Sequence, residues 1–343
     1  MRSEAQILRN CFHDFYRLGL TTSSGGNVSC RTSNGLICIS ASQIDKGFLK
    51  SEDFCKLTLS SEVIGLKKPS MEYPFHLAIY NEFPETSTIL HFHPPVFVAL
   101  SLLSPDDPKL SEGLNKFKVG YARYKIPGSN ELGEEICNAI KKGFEFVLMQ
   151  NHGMLAVGKN LDELCKKIIS LNNSLIEFFN LEKLDKVFTS KSIFKDQLEV
   201  TSQFYEKRAK CFLSLESEVN FKFDEPQNMF YTCVQLNSLK QLGADQFKSS
   251  IIPESFLLLR NTKYQNHPIG AEGVKKYLQN HESDIFLFPE GWAMVKGASL
   301  YNLYDKLEVL DFTAKVWLYV MEMGSCQLLT LTQIRALELR FLS

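Results

Sequence analysis

The stretch ILHFHPP, residues 89–95, places two histidines in a short apolar run that two prolines close. These are His91 and His93, in a chain of 343 residues that contains only seven histidines. Residues i and i+2 of an extended strand point to the same face, about 6.6 Å apart, so both imidazoles could bind one metal ion. The same pattern fits the polar face of an edge strand, and the choice depends on further ligands.

Two other residues in the first half offer ligand atoms. His152 lies in the turn QNHGM, where a loop can direct its side chain into a cleft. Glu72 lies in PSMEY, in what we predict to be the first turn of a helix, where the helix dipole favours its ionised form. His152 could instead stabilise its own turn, Glu72 could be an exposed carboxylate, and His76 is predicted to have a supporting or structural role. Three histidines and a glutamate would fill a tetrahedral metal site.

Composition argues against several classes of function. Hydrophobic residues make up 44% and charged residues 22% of the chain, and the net charge is −1. There is no long basic block, so we expect no nucleic-acid or membrane partner. The N-terminus is too polar for a signal peptide, and no run is apolar enough for a membrane span. The nine cysteines are scattered without a C-x-x-C pair, which indicates reduced thiols in a cytoplasmic protein.

Hydrophobic patterns predict paired strands that alternate with helices. Residues 3–18 are predicted to form an amphipathic helix with Ser3 as N-cap. Residues 23–40 follow as a glycine loop and a β-hairpin. A second helix is predicted to start at Ser70. The remaining elements are a strand at 86–93, a helix after Pro95, two strands within 145–158 and a helix at 161–179.

This order of elements predicts an α/β domain over residues 1–195 and a second domain over residues 196–343. We expect the boundary near residues 189–197, which are polar and lack a strong pattern.

The second domain contains a weak echo of the first. FLFPEGWAMVKGASLYNL, at 286–303, resembles VLMQNHGMLAVGKNLDEL, at 147–164, in order and character. We interpret the second domain as a degenerate, truncated tandem copy, and chance similarity is the alternative. Glu290 is expected where His152 lies in the first copy. Because this half has too few histidines for a three-imidazole site, we predict that it holds no metal.

Four motifs together resemble the class II aldolase/adducin family. They are SSGGNVSCR at 23–31, KKPSMEYPFH at 67–76, ILHFHPPVFVALS at 89–101 and LMQNHGMLAVG at 148–158. The resemblance covers residues 3–180 strongly and 253–340 weakly. It implies a three-layer α/β/α domain around a mostly antiparallel central sheet.

The resemblance also implies the roles of individual residues. Residues that match His91, His93 and His152 bind zinc in the sugar-phosphate aldolases, and other divalent transition metals suit the same ligands. The residue that matches Glu72 binds the metal in the empty site and acts as acid and base during turnover. The pocket for the substrate phosphate is implied to be lined by Gly26, Asn27, Ser42 and Ser70.

Two departures from the family pattern affect the phosphate pocket. The usual Thr/Ser-Gly pair is Ser42-Gln43 here, and the second serine of Pro-Ser-Ser-Glu is Met71. Both changes remove features of an anion-binding loop, so we expect weaker phosphate binding. The family's intersubunit tyrosine has no clear match, although Tyr121 and Tyr124 lie nearby in sequence.

The function that follows is a metal-dependent lyase of the aldolase type. It would cleave or form a C–C bond next to a ketose carbonyl through a metal-stabilised enediolate, with Glu72 transferring the proton. The alternatives are an adducin-like scaffold and a family epimerase, dehydratase or decarboxylase. Relatives usually form tetramers, so we expect a homo-oligomer: a tetramer, or a dimer that mimics one.

Overall fold

The computed structural model describes residues 3–184 and 201–342. The chain divides into a first unit, Met1–Asn180 with Met323–Ser343, and a second unit, Leu181–Glu322. The boundary predicted near residues 189–197 lies entirely within 185–200 and therefore outside the described residues. No described helix has the length and apolar character needed to cross a membrane.

The first unit contains eight strands and seven α-helices among its described residues. The strands are β1 Asn27–Arg31, β2 Ile37–Ser40, β3 Phe54–Leu57, β4 Val63–Ile64, β5 Thr88–Phe92, β6 Val119–Ala122, β7 Phe146–Met149 and β8 Gly153–Gly158. The helices are α1 Glu4–Arg17, α2 Tyr73–Glu82, α3 Pro95–Ser101, α4 Pro108–Phe117, α5 Asn130–Lys141, α6 Leu161–Phe178 and, from the end of the chain, α12 Leu331–Phe341.

Local sequence signals account for the main boundaries. Ser3 begins α1 with a capping box, because its Oγ accepts from the Gln6 N–H at 3.3 Å and its own N–H donates to Gln6 Oε1 at 3.0 Å. The helix predicted from Ser70 begins later, at Tyr73, with Pro74 in its first turn. Glu72 is therefore the residue that flanks α2 and does not lie within its first turn.

The strands form one mixed sheet in the order β4-β3-β2-β1-β5-β8-β7-β6. All neighbours are antiparallel except β6 and β7, which α5 connects as a crossover. The prediction of a mostly antiparallel α/β sheet is thus confirmed.

The two faces of this sheet are covered by different helices. One face packs against α2 and α5, in a core that includes Phe75, Ile89 and Ile136. Phe92 points to the other face, where its ring contacts Phe15 of α1 and Phe97 of α3 at centroid distances of 5.6 and 6.1 Å. Because neighbouring strand residues alternate between faces, His91 lies on the side of α2.

The second unit contains a five-stranded sheet in the order β11-β12-β13-β10-β9. Its strands are β9 Lys222–Asp224, β10 Met229–Gln235, β11 Thr262–Tyr264, β12 Ile285–Leu287 and β13 Trp292–Gly297. Its helices are α7 Ser202–Phe212, α8 Asn237–Leu242, α9 Pro253–Leu259, α10 Ala271–Leu278 and α11 Leu300–Met323, which ends at the first residue of the returning segment.

The connections of this second sheet repeat those of the first. β10, β13, β12 and β11 are neighbours in the same order and directions as β5, β8, β7 and β6, with the same antiparallel, antiparallel and parallel pairs. Two α-helices lie between β5 and β6, as between β10 and β11. One α-helix lies between β6 and β7, as between β11 and β12.

Strand register corrects the expected position of Glu290. Leu148 pairs with Met154 in the first sheet, and Leu287 pairs with Ala293 in the second. Counting through each turn puts Gly291 at the place of His152. Glu290 falls at the place of Asn151, and both of these residues have a positive φ, 58° and 50°.

The same register locates the counterparts of the other two histidines. His91 pairs with Leu155 in the first sheet, and Cys233 pairs with Met294 at the equivalent rung of the second. Gln235 then stands at the place of His93. In the described second sheet, the three imidazole positions therefore hold Cys233, Gln235 and Gly291.

Candidate metal centre

Three imidazoles come together at one end of β5: His91 lies in this strand, His93 follows it directly, and His152 lies in the turn after β7. Candidate ligand atoms of His91, His93 and His152 all lie within 4.8 Å of one another. The Nε2 atoms of His91 and His93 are 3.0 Å apart. All three side chains are buried, with 0, 4 and 6% of each residue exposed.

Glu72 approaches the imidazoles from the start of α2. Its Oε2 lies 3.2 Å from His91 Nε2, and its Oε1 lies 3.3 Å from His152 Nε2. Burial alone would raise the pKa of this carboxyl, but the neighbouring imidazoles of His91 and His152 outweigh burial and lower the pKa far below its usual range. The carboxylate is therefore ionised at neutral pH.

The arrangement fits a divalent cation. Ligands about 2.0–2.1 Å from a tetrahedral ion are about 3.3–3.4 Å from one another, close to the separations around His91. His91 Nδ1 lies 3.0 Å from the Met154 carbonyl, which can only accept a hydrogen bond. Nδ1 therefore carries the proton, and the lone pair of Nε2 faces the other ligands.

His152 owes its position to the turn between β7 and β8. Asn151 adopts a left-handed conformation, with φ of 50°, and its N–H donates to the Ser101 carbonyl at 3.0 Å. Its side-chain amide donates to the Gln327 carbonyl at 2.6 Å. Gln327 itself donates through its N–H to the Leu102 carbonyl at 2.6 Å. A residue from the end of the chain thus braces the turn that carries His152.

The loops predicted to bind an anion lie beside Glu72. Gly26 has a φ of 70°, and a β-carbon there would approach the His91 carbonyl oxygen to 2.4 Å, so only glycine fits. The Ser42 N–H donates to the Lys68 carbonyl, and the Ser70 N–H donates to the Ser40 carbonyl, both at 3.0 Å. Ser42 and Ser70 therefore lie on adjacent loops.

Gln43 keeps the backbone conformation that a glycine would favour. Its φ is 56°, in the left-handed region. Sequence analysis identified the replaced glycine but not the retained conformation. Met71, in contrast, is 52% exposed at its position next to Glu72.

The hydroxyls of Tyr121, in β6, and of Tyr124, two residues after this strand, are buried. Neither Tyr121 nor Tyr124 has a hydrogen-bond partner for its hydroxyl among the described residues. Burial raises the pKa of both phenols to about 12. The Tyr124 N–H donates to the side chain of Gln150 at 3.1 Å, two residues before His152.

Sequence reasoning missed Gln327 and Lys46. Gln327 lies 175 residues beyond His152 in the chain, and no local pattern connects the two. Lys46 is 4% exposed, and its ammonium donates to the Ala41 carbonyl at 2.8 Å, next to Ser42. The surrounding sequence, DKGFL, contains no pattern that predicts the burial of this lysine.

Comparisons with known proteins agree with this geometry. The profile of the class II aldolase and adducin N-terminal domain matches residues 6–176. A 3-oxo-tetronate 4-phosphate decarboxylase from Haemophilus influenzae is 29% identical over 189 residues, which span 52% of this chain and 89% of the relative.

Two other relatives catalyse different reactions by name. An L-fuculose phosphate aldolase from Methanococcus maripaludis is 35% identical over 146 residues, 41% of this chain and 76% of the relative. A methylthioribulose-1-phosphate dehydratase from Pseudoalteromonas translucida is 32% identical over 158 residues, 41% of this chain and 73% of the relative. With its fold, its buried histidines and these relatives, the chain belongs to the class II aldolase/adducin family.

Proposed function

We propose that this protein is a divalent-metal-dependent lyase of the aldolase type that breaks or forms a C–C bond next to the carbonyl of a ketose phosphate. The observation that carries the proposal is the contact of Glu72 with two imidazoles of a buried cluster, at 3.2 and 3.3 Å. Buried charged groups are stable only when they are paired or bind a metal.

His91, His93 and His152 would hold the ion, with Glu72 as a fourth ligand in the absence of substrate. The bound ion would supply Lewis-acid polarisation of the substrate's carbonyl and hydroxyl oxygens. Three imidazoles suit zinc, and manganese, iron or nickel are compatible with the same residue types.

Glu72 is proposed to move the proton. Its Oε2 accepts a hydrogen bond from Asn27 Nδ2 at 2.8 Å, whereas its Oε1 accepts none from the described residues. One oxygen is therefore held in place while the other can take a proton from substrate and return it. A positioned acid or base of this kind contributes about 10²–10⁴ in rate.

Gly26, Asn27, Ser42 and Ser70 are proposed to line the pocket for the substrate's phosphate. Serine hydroxyls and the backbone N–H groups that such loops leave free bind anions, and the left-handed φ of Gln43 supports a retained loop shape. The names of the relatives, all of which act on phosphorylated sugars or sugar acids, support a phosphorylated substrate.

Decarboxylation or dehydration is the second candidate, because relatives with these activities match the same half of the chain. All three reactions need a polarised carbonyl and a group that moves a proton beside it. The cluster therefore supports the shared chemistry more directly than the net reaction. A non-catalytic scaffold is less well supported, since it has no use for three buried imidazoles around one carboxylate.

The test is metal analysis followed by a substrate panel. We expect about one divalent ion per chain. The metal-loaded protein is then given a ketose 1-phosphate, a 3-oxo-tetronate 4-phosphate and methylthioribulose 1-phosphate. Carbonyl fragments would indicate an aldolase, carbon dioxide a decarboxylase, and a product lighter by water a dehydratase. A metal-free protein that is inactive on the whole panel would favour the scaffold.

We further propose that the second domain, residues 196–343 in the sequence-based division, is a degenerate copy without a metal site. Cys233, Gln235 and Gly291 at the three imidazole positions support this. A homo-oligomer, as a tetramer or a dimer that mimics one, remains our proposal for the assembly. Light scattering coupled to size-exclusion chromatography would measure it.

A further inference from the structure

Side chains from β1 and α2 interlock in a single chain of hydrogen bonds that ends at Glu72. Asn27 and Ser29 lie two residues apart on one face of β1. Glu72, immediately before α2, is followed at intervals of four by His76 and Tyr80 within the helix. The successive distances are 2.9 Å from Tyr80 Oη to Ser29 Oγ, 2.7 Å from Ser29 Oγ to His76 Nδ1, 2.5 Å from His76 Nε2 to Asn27 Oδ1 and 2.8 Å from Asn27 Nδ2 to Glu72 Oε2.

The ionised carboxylate dictates the direction of every bond in this chain. Glu72 can only accept, so Asn27 must turn its amide NH₂ toward Glu72 and its carbonyl oxygen toward His76. His76 must then carry its proton on Nε2, which leaves Nδ1 as an acceptor for the Ser29 hydroxyl. Ser29 has one proton, already donated to His76, and so accepts from the Tyr80 hydroxyl.

The surroundings keep this chain away from water. His76 and Ser29 have no exposed surface, and Asn27 and Tyr80 are each 1% exposed. Burial, followed by the influence of His91, lowers the pKa of His76 to about 3, which is consistent with a neutral ring. Arg31 fixes the far end, since its guanidinium donates to the Tyr80 carbonyl at 2.8 Å and lies 5.1 Å from the centre of the Tyr80 ring.

We infer that His76 is a positioning residue: as a neutral Nε2–H donor it locks the orientation of the Asn27 amide, and the amide holds one oxygen of Glu72. Without this donor, Asn27 could rotate by a half turn and present its carbonyl oxygen to the carboxylate. Two acceptors would then face each other, and Glu72 would move. The inference rests on the proposed function of Glu72 in proton transfer and assigns a role to a histidine outside the metal cluster.

The first test does not depend on activity. The ¹⁵N and ¹H shifts of the His76 ring, assigned by comparison with His76→Gln, distinguish the two neutral tautomers and the charged ring. We expect the Nε2–H tautomer at pH 7 in the metal-free and the metal-loaded protein. Ser29→Ala removes the donor to Nδ1 and should relax this preference. An Nδ1–H or a doubly protonated ring in the wild type would overturn the inference.

The second test compares two substitutions of the same residue. Glutamine can place an amide N–H near the position of Nε2 and still donate to Asn27, whereas leucine fills a similar volume without a donor. We expect His76→Leu to lower kcat by about 10–100-fold, the usual effect of losing a partner of a metal-site residue. KM and metal content should change little, and His76→Gln should recover most of kcat.

Cobalt substitution adds a spectroscopic readout. The visible spectrum of bound Co²⁺ responds to the position of the Glu72 carboxylate, so it should shift in His76→Leu and return toward wild type in His76→Gln. Equal losses of kcat in both variants would mean that His76 only fills space. An unchanged kcat and spectrum in both variants would also contradict the inference. If Glu72→Gln retains full turnover, the proposed role of Glu72 in proton transfer fails. If Glu72→Gln is inactive while His76→Leu is normal, only the role of His76 fails.

Discussion

The ring of His93 lies directly against the α-carbon of Gly153: a β-carbon at position 153 would approach His93 Cδ2 to 2.4 Å and the Phe92 carbonyl oxygen to 2.9 Å. Gly153 begins β8 immediately after His152. Glycine is therefore required there because the side chain of His93, a proposed metal ligand, occupies the space of any larger residue. We predict that Gly153→Ala displaces His93 and weakens metal binding by at least tenfold, measured by competition with a chelator.

Gly270→Ala is the matched control for this substitution. A β-carbon at Gly270 meets no atom within 4 Å, and its φ of −103° is ordinary. This variant should bind metal like the wild type. Equal metal affinity in the two variants would show that His93 is not a ligand or that the backbone of β8 shifts to make room for the added β-carbon.

Removal of the His93 imidazole should leave the chain without bound metal. We predict about one ion per wild-type chain and close to none in His93→Ala, because the described second sheet has no imidazole at the corresponding positions. His281→Ala, at an exposed position in the second unit, is the control and should retain the metal. Retention of a full equivalent in His93→Ala would place the ion elsewhere.

Glu72→Gln should separate metal binding from catalysis. Glutamine keeps the size of the side chain but cannot serve as a base, so turnover should fall by about 10²–10⁴. The metal should stay bound through the three imidazoles, as elemental analysis of the purified variant would reveal. Unchanged turnover would transfer the proton step to another group, with Tyr124 the first to examine.

Gln43→Gly should stabilise the protein. A non-glycine residue in the left-handed region costs about 1 kcal/mol, and glycine relieves this strain at a φ of 56°. The gain will be partly offset by the greater freedom of glycine in the unfolded chain. We expect a higher Tm and unchanged or tighter binding of a ketose phosphate.

Gln265→Gly is the control, because Gln265 is not among the residues with positive φ. It should lower the Tm slightly, mainly through chain entropy, since its side chain makes only an exposed hydrogen bond to the Tyr264 carbonyl. A lower Tm in both variants would mean that Gln43 compensates for its strain through side-chain contacts.

Lys46 should make stability depend on pH in the alkaline range. Burial lowers the pKa of Lys46 to about 8, against about 10.4 in an unfolded chain. Between these values the unfolded chain holds the extra proton, so the free energy of unfolding rises with pH. Below about pH 8 the full cost of burying the charge is present, and it disappears as the pH approaches 10.4.

Lys46→Met removes this titration. We therefore predict that, from pH 7 to pH 10.4, the wild type gains about 3 kcal/mol of unfolding free energy relative to Lys46→Met. Urea titrations at several pH values measure the difference. Lys159→Met, at an exposed position, should follow the wild type. Parallel curves for the wild type and Lys46→Met would show that the ammonium is better solvated than its burial indicates.

Local sequence determined much of the fold and of the candidate site. The capping box at Ser3 and the apolar periodicity of the helix that follows depend only on neighbouring residues. The spacing of His91 and His93 places them on one strand face for the same reason, and it predicted the cluster. Glu72 was a candidate because it lies near a predicted helix start, and the family resemblance supplied its role. The start of this helix was predicted only to within three residues.

Tertiary structure decided what depends on residues far apart in the chain. The strand order of the second sheet was decided in this way, because pairing across a sheet is set by the packing of both strands and not by the sequence of either one. The bond from Asn151 to Gln327 and the chain from Tyr80 through His76 to Glu72 join separate elements. Such contacts form only after the two ends of a long intervening segment have come together. No local sequence pattern contains both partners, so none predicts the contact.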